Sequence, residues 1–425
     1  MTKTQLYYKK RINLESIIFI VFNVFVCSWY ILPRMKMALN YTEFSVILLF
    51  YTLIYIIKYP LIRSLMLKVL FWSILLGAIH VFIAFPMNIK KGFWVIMTQY
   101  LTFIPFFIFV TIYARKNKIE SIIIIFAILS MYIYAGLNTF IAMGNDPNIA
   151  RFMTAIGVSD PEQVNLYQSL NIGGYGLSYS IGLLSVVLWA VLLNFKFKKS
   201  YKIVLLLFSV LFTIYVINAQ FAILFIVTFI LIAYVIFNKI KNRSIKVIAL
   251  IALIPAVFLF PMLILWLATQ FAGTTLGTKF SSMLSADFFQ TDRLLMYKNS
   301  FDLFLNSPLW GNDVTGANYN IYNASHSTFM SLLSSIGLLG ISYYVISFFV
   351  VHKYLRIFFQ KDIYNVVFVP SYIFLLIISL LNPTFETFEF YIVLFLFTPL
   401  VCKLYNKKYT INKLIKSSYV KRVEK

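Results

Sequence analysis

Two residues of one long polar segment have the types and placement for group-transfer chemistry, namely Arg293 and His326. Both lie between Thr269 and Ser327, in a stretch that separates two long apolar runs. An arginine guanidinium stays charged at any physiological pH and can bind two oxygens of a phosphate group in parallel. A histidine where a polar loop enters a helix can act as a general base, because the positive end of the helix dipole favours the neutral imidazole. The alternative interpretation of this histidine is a solvated residue at a helix mouth.

Arg151 is the arginine of a second long segment predicted to face the same side, and it could bind the same anion. Each arginine also has a nearby carboxylate, Asp146 or Asp292, with which it could form an ordinary loop ion pair. Tyr297 follows Arg293 by one helical turn and would share its side of a helix. Residue types alone leave both interpretations of the arginines open.

Four further residues could add charge or catalysis on that side. Lys90 and Lys91 follow the third apolar run and could add positive potential, with snorkelling anchors as the alternative. Glu386 and Glu389, between the last two apolar runs, could position an acceptor or act as a base, with a solvated turn as the alternative. Neither an Asp-x-Asp pair on that side nor a second histidine near His326 offers metal-ligand spacing. The sequence therefore predicts no metal and no cofactor.

Long apolar helices must position these residues. Hydrophobic residues make up 61% of the chain and charged residues 12%, with a mean hydropathy of +0.85, which excludes a soluble globular fold. Twelve apolar runs approach the roughly 20 residues with which a helix crosses a bilayer. They cover residues 15–33, 44–57, 69–87, 93–113, 121–143, 174–194, 203–218, 221–237, 247–268, 328–350, 366–381 and 390–404. We expect an all-α polytopic membrane protein with about twelve transmembrane helices, forming one integral membrane domain over residues 1–425.

The net charge of +23 is distributed so as to indicate orientation in a membrane rather than nucleic-acid binding. Alternate connecting segments hold 29 of the 37 Lys and Arg, which predicts that both termini and the basic tail, 403–425, are cytosolic. Two long segments remain outside. The first covers 144–173, and the larger one, 269–327, contains a short amphipathic helix predicted to begin at Thr291 and reach Asn306. Because the mass outside the membrane faces outward, we expect the activity there.

The stretch TDRLLMYKNSFDLFLNSPLWGNDVTGANYNIYNASHSTFMSLLSSIGLLG, from Thr291 to Gly340, resembles the signature region of the O-antigen polymerase and O-antigen ligase superfamily. In that region an amphipathic segment led by an arginine ends in a Pro-Leu-x-Gly turn. A histidine then heads the next helix, which contains Gly-Leu-Leu-Gly. The matching positions here are Arg293, Pro308, Leu309, Gly311, His326, Gly337 and Gly340.

The resemblance implies a Wzy-type polymerase of O-antigen or capsular polysaccharide in the cytoplasmic (inner) membrane of a bacterium. Such enzymes join undecaprenyl-diphosphate-linked glycans at the outer face of the membrane and release undecaprenyl diphosphate. By this resemblance Arg293, with Arg151, holds the diphosphate and His326 activates the attacking sugar hydroxyl, while the long loop closes over both. The implied partners are the lipid-linked donor and acceptor and the bilayer. A chain-length regulator and a flippase are candidate protein partners, and no nucleic acid is involved.

Two departures from the family pattern and two rival functions bear on this interpretation. The family's arginine near the outer junction of the seventh and eighth apolar runs is replaced by Gln220, and Ser327 follows His326 where asparagine is usual. The first departure disfavours a ligase, the nearest rival, which moves finished glycan onto lipid A core or another acceptor. A lipid-linked oligosaccharide flippase is the rival from another class. Transporters commonly contain internal repeats and charged residues within their helices, whereas this sequence shows no repeat and no acidic residue predicted in mid-span.

Overall fold

The computed structural model describes residues 14–39, 41–58, 118–146, 149–152, 161–219, 221–240, 260–283, 292–312, 327–358, 364–382 and 389–405, with isolated positions at 67, 71 and 75. Within these ranges the regular elements are helices and no strand occurs. The predicted all-α class is therefore confirmed for the part of the chain that the structure describes. Helices coincide wholly or in part with ten of the predicted apolar runs, and the other two, 69–87 and 93–113, lie outside the continuous ranges.

The helices are numbered in chain order. The first group is α1 Leu14–Ile31, α2 Pro33–Ala38, α3 Tyr41–Lys58, α4 Lys118–Asn145, α5 Ile149–Phe152 and α6 Pro161–Ser169. The second is α7 Tyr175–Asn194, α8 Lys199–Asn218, α9 Ala222–Lys239, α10 Phe260–Gln270, α11 Thr275–Met283 and α12 Asp292–Asn306. The last is α13 Thr328–Phe358, α14 Val369–Leu381, α15 Glu389–Tyr391 and α16 Thr398–Tyr405. One π-helical stretch, Tyr364–Phe368, leads into α14, and another, Ile392–Phe397, joins α15 to α16.

Six of the described helices are long and apolar enough to cross a membrane. They are α1, α4, α7, α8, α9 and the continuous helix Tyr364–Leu381. Shorter apolar helices cover Thr328–Ser342 and Glu389–Cys402. By length and composition the chain is therefore a multi-pass membrane protein.

Helix α7 lies at the centre of the bundle, and nearly all of its side chains are buried. It packs against α8, α9 and α14. A Cβ at Gly182 would overlap the Leu224 side chain on α9 and come within 3.2 Å of the Phe374 ring on α14. A glycine here therefore permits the close helix approach that is typical of membrane bundles.

The segments that the charge pattern assigns to the outside meet at one end of the bundle. This loop end comprises residues 32–39, 161–174 and 221. The backbone N–H of Arg34 donates to Oδ1 of Asn171 over 3.2 Å. The rings of Tyr175 and Phe221 have centroids 5.4 Å apart. The helix ends that were assigned to the cytosol line a cavity of about 680 Å³, which includes Asn194, Lys239 and Asn365.

The last helical stretch begins well inside the bundle. Residues 389–405 form about 24 Å of helix, which is less than the roughly 30 Å hydrocarbon thickness of a bilayer. The hydroxyl of Tyr132, near the middle of α4, donates to the backbone carbonyl of Glu389 over 3.0 Å. The start of this helix is therefore held against α4 by a side-chain hydrogen bond.

Candidate active site

The helix that carries Arg293 exists as predicted and packs with one face against the bundle. It runs over Asp292–Asn306, so Arg293 lies on its first turn and Tyr297, which is half-buried, lies one turn further on. The buried face consists of Ser300, Leu303 and Phe304. Phe301 and Leu305 lie outside this face and are 45% and 56% exposed. An exposed apolar edge of this kind suits contact with lipid.

The turn after this helix is inserted into a break in α13. At Gly337, φ is 61° and ψ is −166°, which separates α13 into residues 328–336 and 338–358. The N–H groups of Leu338 and Leu339 donate to the carbonyls of Pro308 and Leu309, over 2.9 and 3.2 Å. These bonds satisfy backbone groups that the break releases, as backbone within a membrane bundle requires.

Asn312 fixes the same turn from the other side. Its N–H donates to the Ser334 carbonyl over 2.8 Å, and its Nδ2 donates to the Leu303 carbonyl on α12. Ser334 and Ser335, which face the turn, are buried and small, and this allows the two backbones to approach closely. We call this arrangement of residues 308–312 against residues 334–339 the turn socket.

Glycine is required on both sides of the turn socket. Gly337 occupies a region of φ and ψ that is almost exclusive to glycine, and a Cβ there would lie 2.5 Å from the Leu309 carbonyl oxygen. Gly311 has φ of 82°, and a Cβ there would overlap the backbone of Ser335. Four of the signature positions, Pro308, Leu309, Gly311 and Gly337, therefore have a structural role in joining two helices.

The turn socket anchors one end of the helix that carries Arg293. The C-terminal end of α12 is joined to α13 by backbone hydrogen bonds, and the two helices pack against each other. Arg293, at the opposite end of α12, is therefore held on a helix whose far end is anchored.

The N-terminus of α13, which follows His326 in the chain, is attached to the end of α14. The Asn382 carbonyl accepts hydrogen bonds from the Thr328 N–H over 3.2 Å and from Thr328 Oγ1 over 2.9 Å. Both residues are buried. The start of the loop that contains Glu386 therefore lies beside the helix that His326 precedes.

Glu389 forms a partly buried ion pair that the sequence analysis did not anticipate. Its Oε1 lies 2.6 Å from Nζ of Lys36 on α2, and the two side chains are 9% and 36% exposed. Its Oε2 is buried and has no hydrogen-bond partner among the described residues. The Phe390 ring next to it packs between Tyr179 and Phe374, with centroids 6.4 and 6.2 Å away. The solvated turn considered for Glu389 is therefore wrong.

Glu389 also bears on the argument used against a transporter. That argument rested on the absence of acidic residues in mid-span. Glu389 begins an apolar helix, and its carboxylate is buried against Lys36 of the loop end. Buried ionisable groups in membrane proteins are rare, and by default they indicate function.

The structure describes the remaining predicted site residues only in part. Arg151 lies on the short helix α5, and for both Arg151 and Arg293 only the backbone is described. His326, Lys90, Lys91, Glu386 and Gln220 lie outside the described residues. Their proposed roles remain predictions.

The sequence analysis missed three residues that shape this region, namely Lys36, Asn171 and Asn312. Asn171 has φ of 57°, the only positive φ among the described non-glycine residues, and a local asparagine in a loop is a recognisable signal for this conformation. No comparable local signal exists for Lys36, whose partner lies 353 positions away.

Within the described ranges, no group of three His, Cys, Asp or Glu residues is placed to hold a metal ion. Comparison with known proteins finds no matching family model and no matching curated protein. The functional argument therefore rests on the signature residues and on the geometry around them.

Proposed function

We propose that this chain is a membrane glycosyltransferase that polymerises lipid-linked oligosaccharide repeat units at the outer face of a bacterial cytoplasmic membrane. The donor is a glycan linked to a polyisoprenyl diphosphate, and the acceptor is a sugar hydroxyl of a second lipid-linked unit. The hydroxyl oxygen attacks the donor's anomeric carbon, and the bond from that carbon to the diphosphate breaks. The lipid diphosphate leaves with the bonding electrons, and the hydroxyl proton passes to a base.

The observation that supports this proposal is the turn socket. The Pro-Leu-x-Gly turn and the Gly-Leu-Leu-Gly segment are far apart in sequence, yet their backbones are joined by hydrogen bonds. The turn follows the helix of Arg293, and the broken helix follows His326. Arg293 thus lies on one of two helices that the signature glycines hold together, and His326 precedes the other in the chain.

Each proposed role follows from the chemistry of the residue. Arg293, together with Arg151, would neutralise the charge that develops on the departing diphosphate. His326 would take the proton of the attacking hydroxyl. The energy is supplied by the diphosphate bond of the donor, so the reaction needs no nucleotide. Neither a ligase nor a polymerase is excluded by these roles, and Gln220 in place of an arginine favours the polymerase.

A transporter of lipid-linked oligosaccharide is the second candidate, and the buried Lys36–Glu389 pair favours it. Buried charge pairs are common along the substrate pathways of membrane transporters. The two proposals differ in the membrane leaflet where undelivered material would accumulate, so an experiment can separate them.

The test compares a deletion strain that carries the wild-type gene with one that carries His326→Ala. A general base is needed only for bond formation, so the variant should block polymerisation while lipid-linked units still reach the outer face. The measurement is the length of the glycan and its leaflet, determined from extracted lipid-linked saccharides and from their accessibility in intact spheroplasts.

Each alternative outcome has its own meaning. Units retained in the cytosolic leaflet would indicate a transporter. Long polymer still attached to the lipid carrier would indicate a ligase. Polymer of normal length in the His326→Ala strain, with none in the deletion strain, would show that His326 is a residue of the helix mouth without a catalytic role.

A further inference from the structure

Within the described residues, the Lys36–Glu389 pair uses only part of the hydrogen-bonding capacity of its two side chains. A carboxylate can accept about four hydrogen bonds, and the Glu389 side chain accepts one within the described residues, from Lys36. A lysine ammonium has three donors, and that of Lys36 makes one described contact. A buried carboxylate oxygen without a partner is uncommon in native structures and calls for an explanation.

The unused groups match one class of ligand. A sugar hydroxyl donates one hydrogen bond and accepts others, so it can bind to a carboxylate and an ammonium at once. A diphosphate would be repelled by the Glu389 carboxylate. The pair therefore suits the uncharged, hydroxyl-rich part of a lipid-linked glycan and not its anionic part.

The pair also lies where a glycan could reach it. The Lys36 side chain is 36% exposed, so the pair borders the surface of the protein. Arg34, two residues earlier, bonds to Asn171 at the loop end. Only seven residue steps, which span at most about 25 Å, separate Glu389 from Asn382. Asn382 bonds to Thr328, which follows the predicted base by two residues in the chain.

We propose that Lys36 and Glu389 form a hydroxyl-binding site that positions the acceptor glycan. The attacking hydroxyl of that glycan would lie at the N-terminal end of α13. This proposal rests on the proposed polymerase function and adds a sugar site separate from the diphosphate site. Glu389 accepts a hydrogen bond from a ring hydroxyl, and Lys36 orients the carboxylate and donates to the same sugar. The competing explanation is an ion pair that only ties α2 to α15.

The test uses full-length protein in lipid nanodiscs and lipid-linked repeat unit extracted from the deletion strain as substrate. Two competitors separate the two parts of the substrate. Glycan released from that extract by mild acid carries the hydroxyls without the diphosphate, and farnesyl diphosphate carries the diphosphate without the sugar. Inhibition constants are measured for wild type, for Glu389→Gln and for the charge swap Lys36→Glu with Glu389→Lys. Glu162→Gln, which alters an exposed carboxylate on α6, is the matched control.

Glu389→Gln should weaken inhibition by the free glycan about ten- to a hundredfold, the loss expected for one hydrogen bond to a charged group. Inhibition by farnesyl diphosphate should be unchanged, and Glu162→Gln should behave as wild type. Inhibition constants do not depend on protein abundance, so reduced expression leaves the comparison intact. The charge swap should keep the amount of protein in the membrane at the wild-type level, because the ion pair is retained. It should not restore inhibition by the free glycan.

Two results would overturn the hydroxyl site while leaving the polymerase intact. One is unchanged glycan inhibition in Glu389→Gln, and the other is full recovery of glycan inhibition by the charge swap, which would identify a purely structural ion pair. Failure of the polymerase proposal has a different signature, namely that the wild-type protein forms no polymer from the extracted units.

Discussion

A buried carboxylate such as that of Glu389 keeps its charge only if a counter-charge or hydrogen bonds replace the water it has lost. Lys36 supplies the counter-charge, and the two residues tolerate loss of a partner differently. Removing Lys36 would leave a carboxylate that is 9% exposed, whereas removing Glu389 would leave an ammonium that is 36% exposed and that water can still solvate. Removing one partner of a fully buried ion pair lowers the free energy of unfolding by about 3–5 kcal/mol. Because Lys36 is partly exposed, substitutions at Glu389 should cost less than that.

The burial of a site residue is harder to predict from sequence than its chemistry. The chemistry of Glu389 was recognised, but its burial was not, because its partner lies 353 positions earlier in the chain. By contrast, the relation between Arg293 and Tyr297 follows from helical spacing alone, and the helix is present. Spacing within one element can be predicted from sequence, whereas pairing between distant elements depends on packing.

Arg293→Lys tests whether the guanidinium binds two oxygens of the diphosphate. Lysine keeps the positive charge but cannot donate two parallel hydrogen bonds to the diphosphate, so one contact should be lost. The expected cost is about 1.5–3 kcal/mol, or roughly a ten- to hundredfold lower rate of polymerisation. Protein abundance in the membrane should be unchanged, because Arg293 lies on the first turn of α12, away from the turn socket. Full polymerisation by the lysine variant would show that a point charge is sufficient.

At the scale of elements, the turn socket explains why two short motifs occur in the same chain. Apolar runs and a capping threonine were enough to predict most helices, because hydrophobicity and helix ends are local properties. The break at Gly337 could not be predicted from the glycines alone. Its backbone donors bond to carbonyls of Pro308 and Leu309, and no side-chain pattern reveals such a contact.

Gly337→Ala should disrupt the turn socket and with it the frame for Arg293. The backbone strain of a non-glycine residue there is about 1–3 kcal/mol, and the overlap of Cβ with the Leu309 carbonyl adds to it. We expect lower abundance in the membrane, a lower thermal unfolding temperature and loss of most polymerisation.

Gly273→Ala is the matched control for this substitution. Gly273 also has a positive φ, of 79°, but a Cβ there would meet nothing within 4 Å. It should lower stability by about 1–2 kcal/mol through backbone strain alone. Equal losses of stability in the two variants would mean that the contact between the turn and α13 does not stabilise the protein.

At the scale of the whole molecule, the positions of charged and polar residues agree with one orientation. Segments that the lysine and arginine pattern assigns to the same side are neighbours in space, as Arg34 and Asn171 show at the loop end and Asn194 and Lys239 show at the other. Every proposed role requires the loop end to face outward, because the polymerisation proposed here takes place on that face. The orientation itself depends on the charge distribution, which acts during insertion and not through contacts within the folded bundle.

Reporter fusions test that orientation directly. Reporters placed after Asp146 and after Asn312 should report the extracytoplasmic side, and those after Lys199 and Lys408 should report the cytosol, because the segments assigned to the cytosol hold 29 of the 37 Lys and Arg. Asn312 is the decisive position, since it lies in the turn socket between the predicted phosphate-binding helix and the predicted base. Alkaline phosphatase and green fluorescent protein give opposite signals at each site, so each fusion is a control for the other. A cytosolic signal at Asn312 would place Arg293 and His326 on the side where the proposed reaction does not occur, and it would end the polymerase proposal.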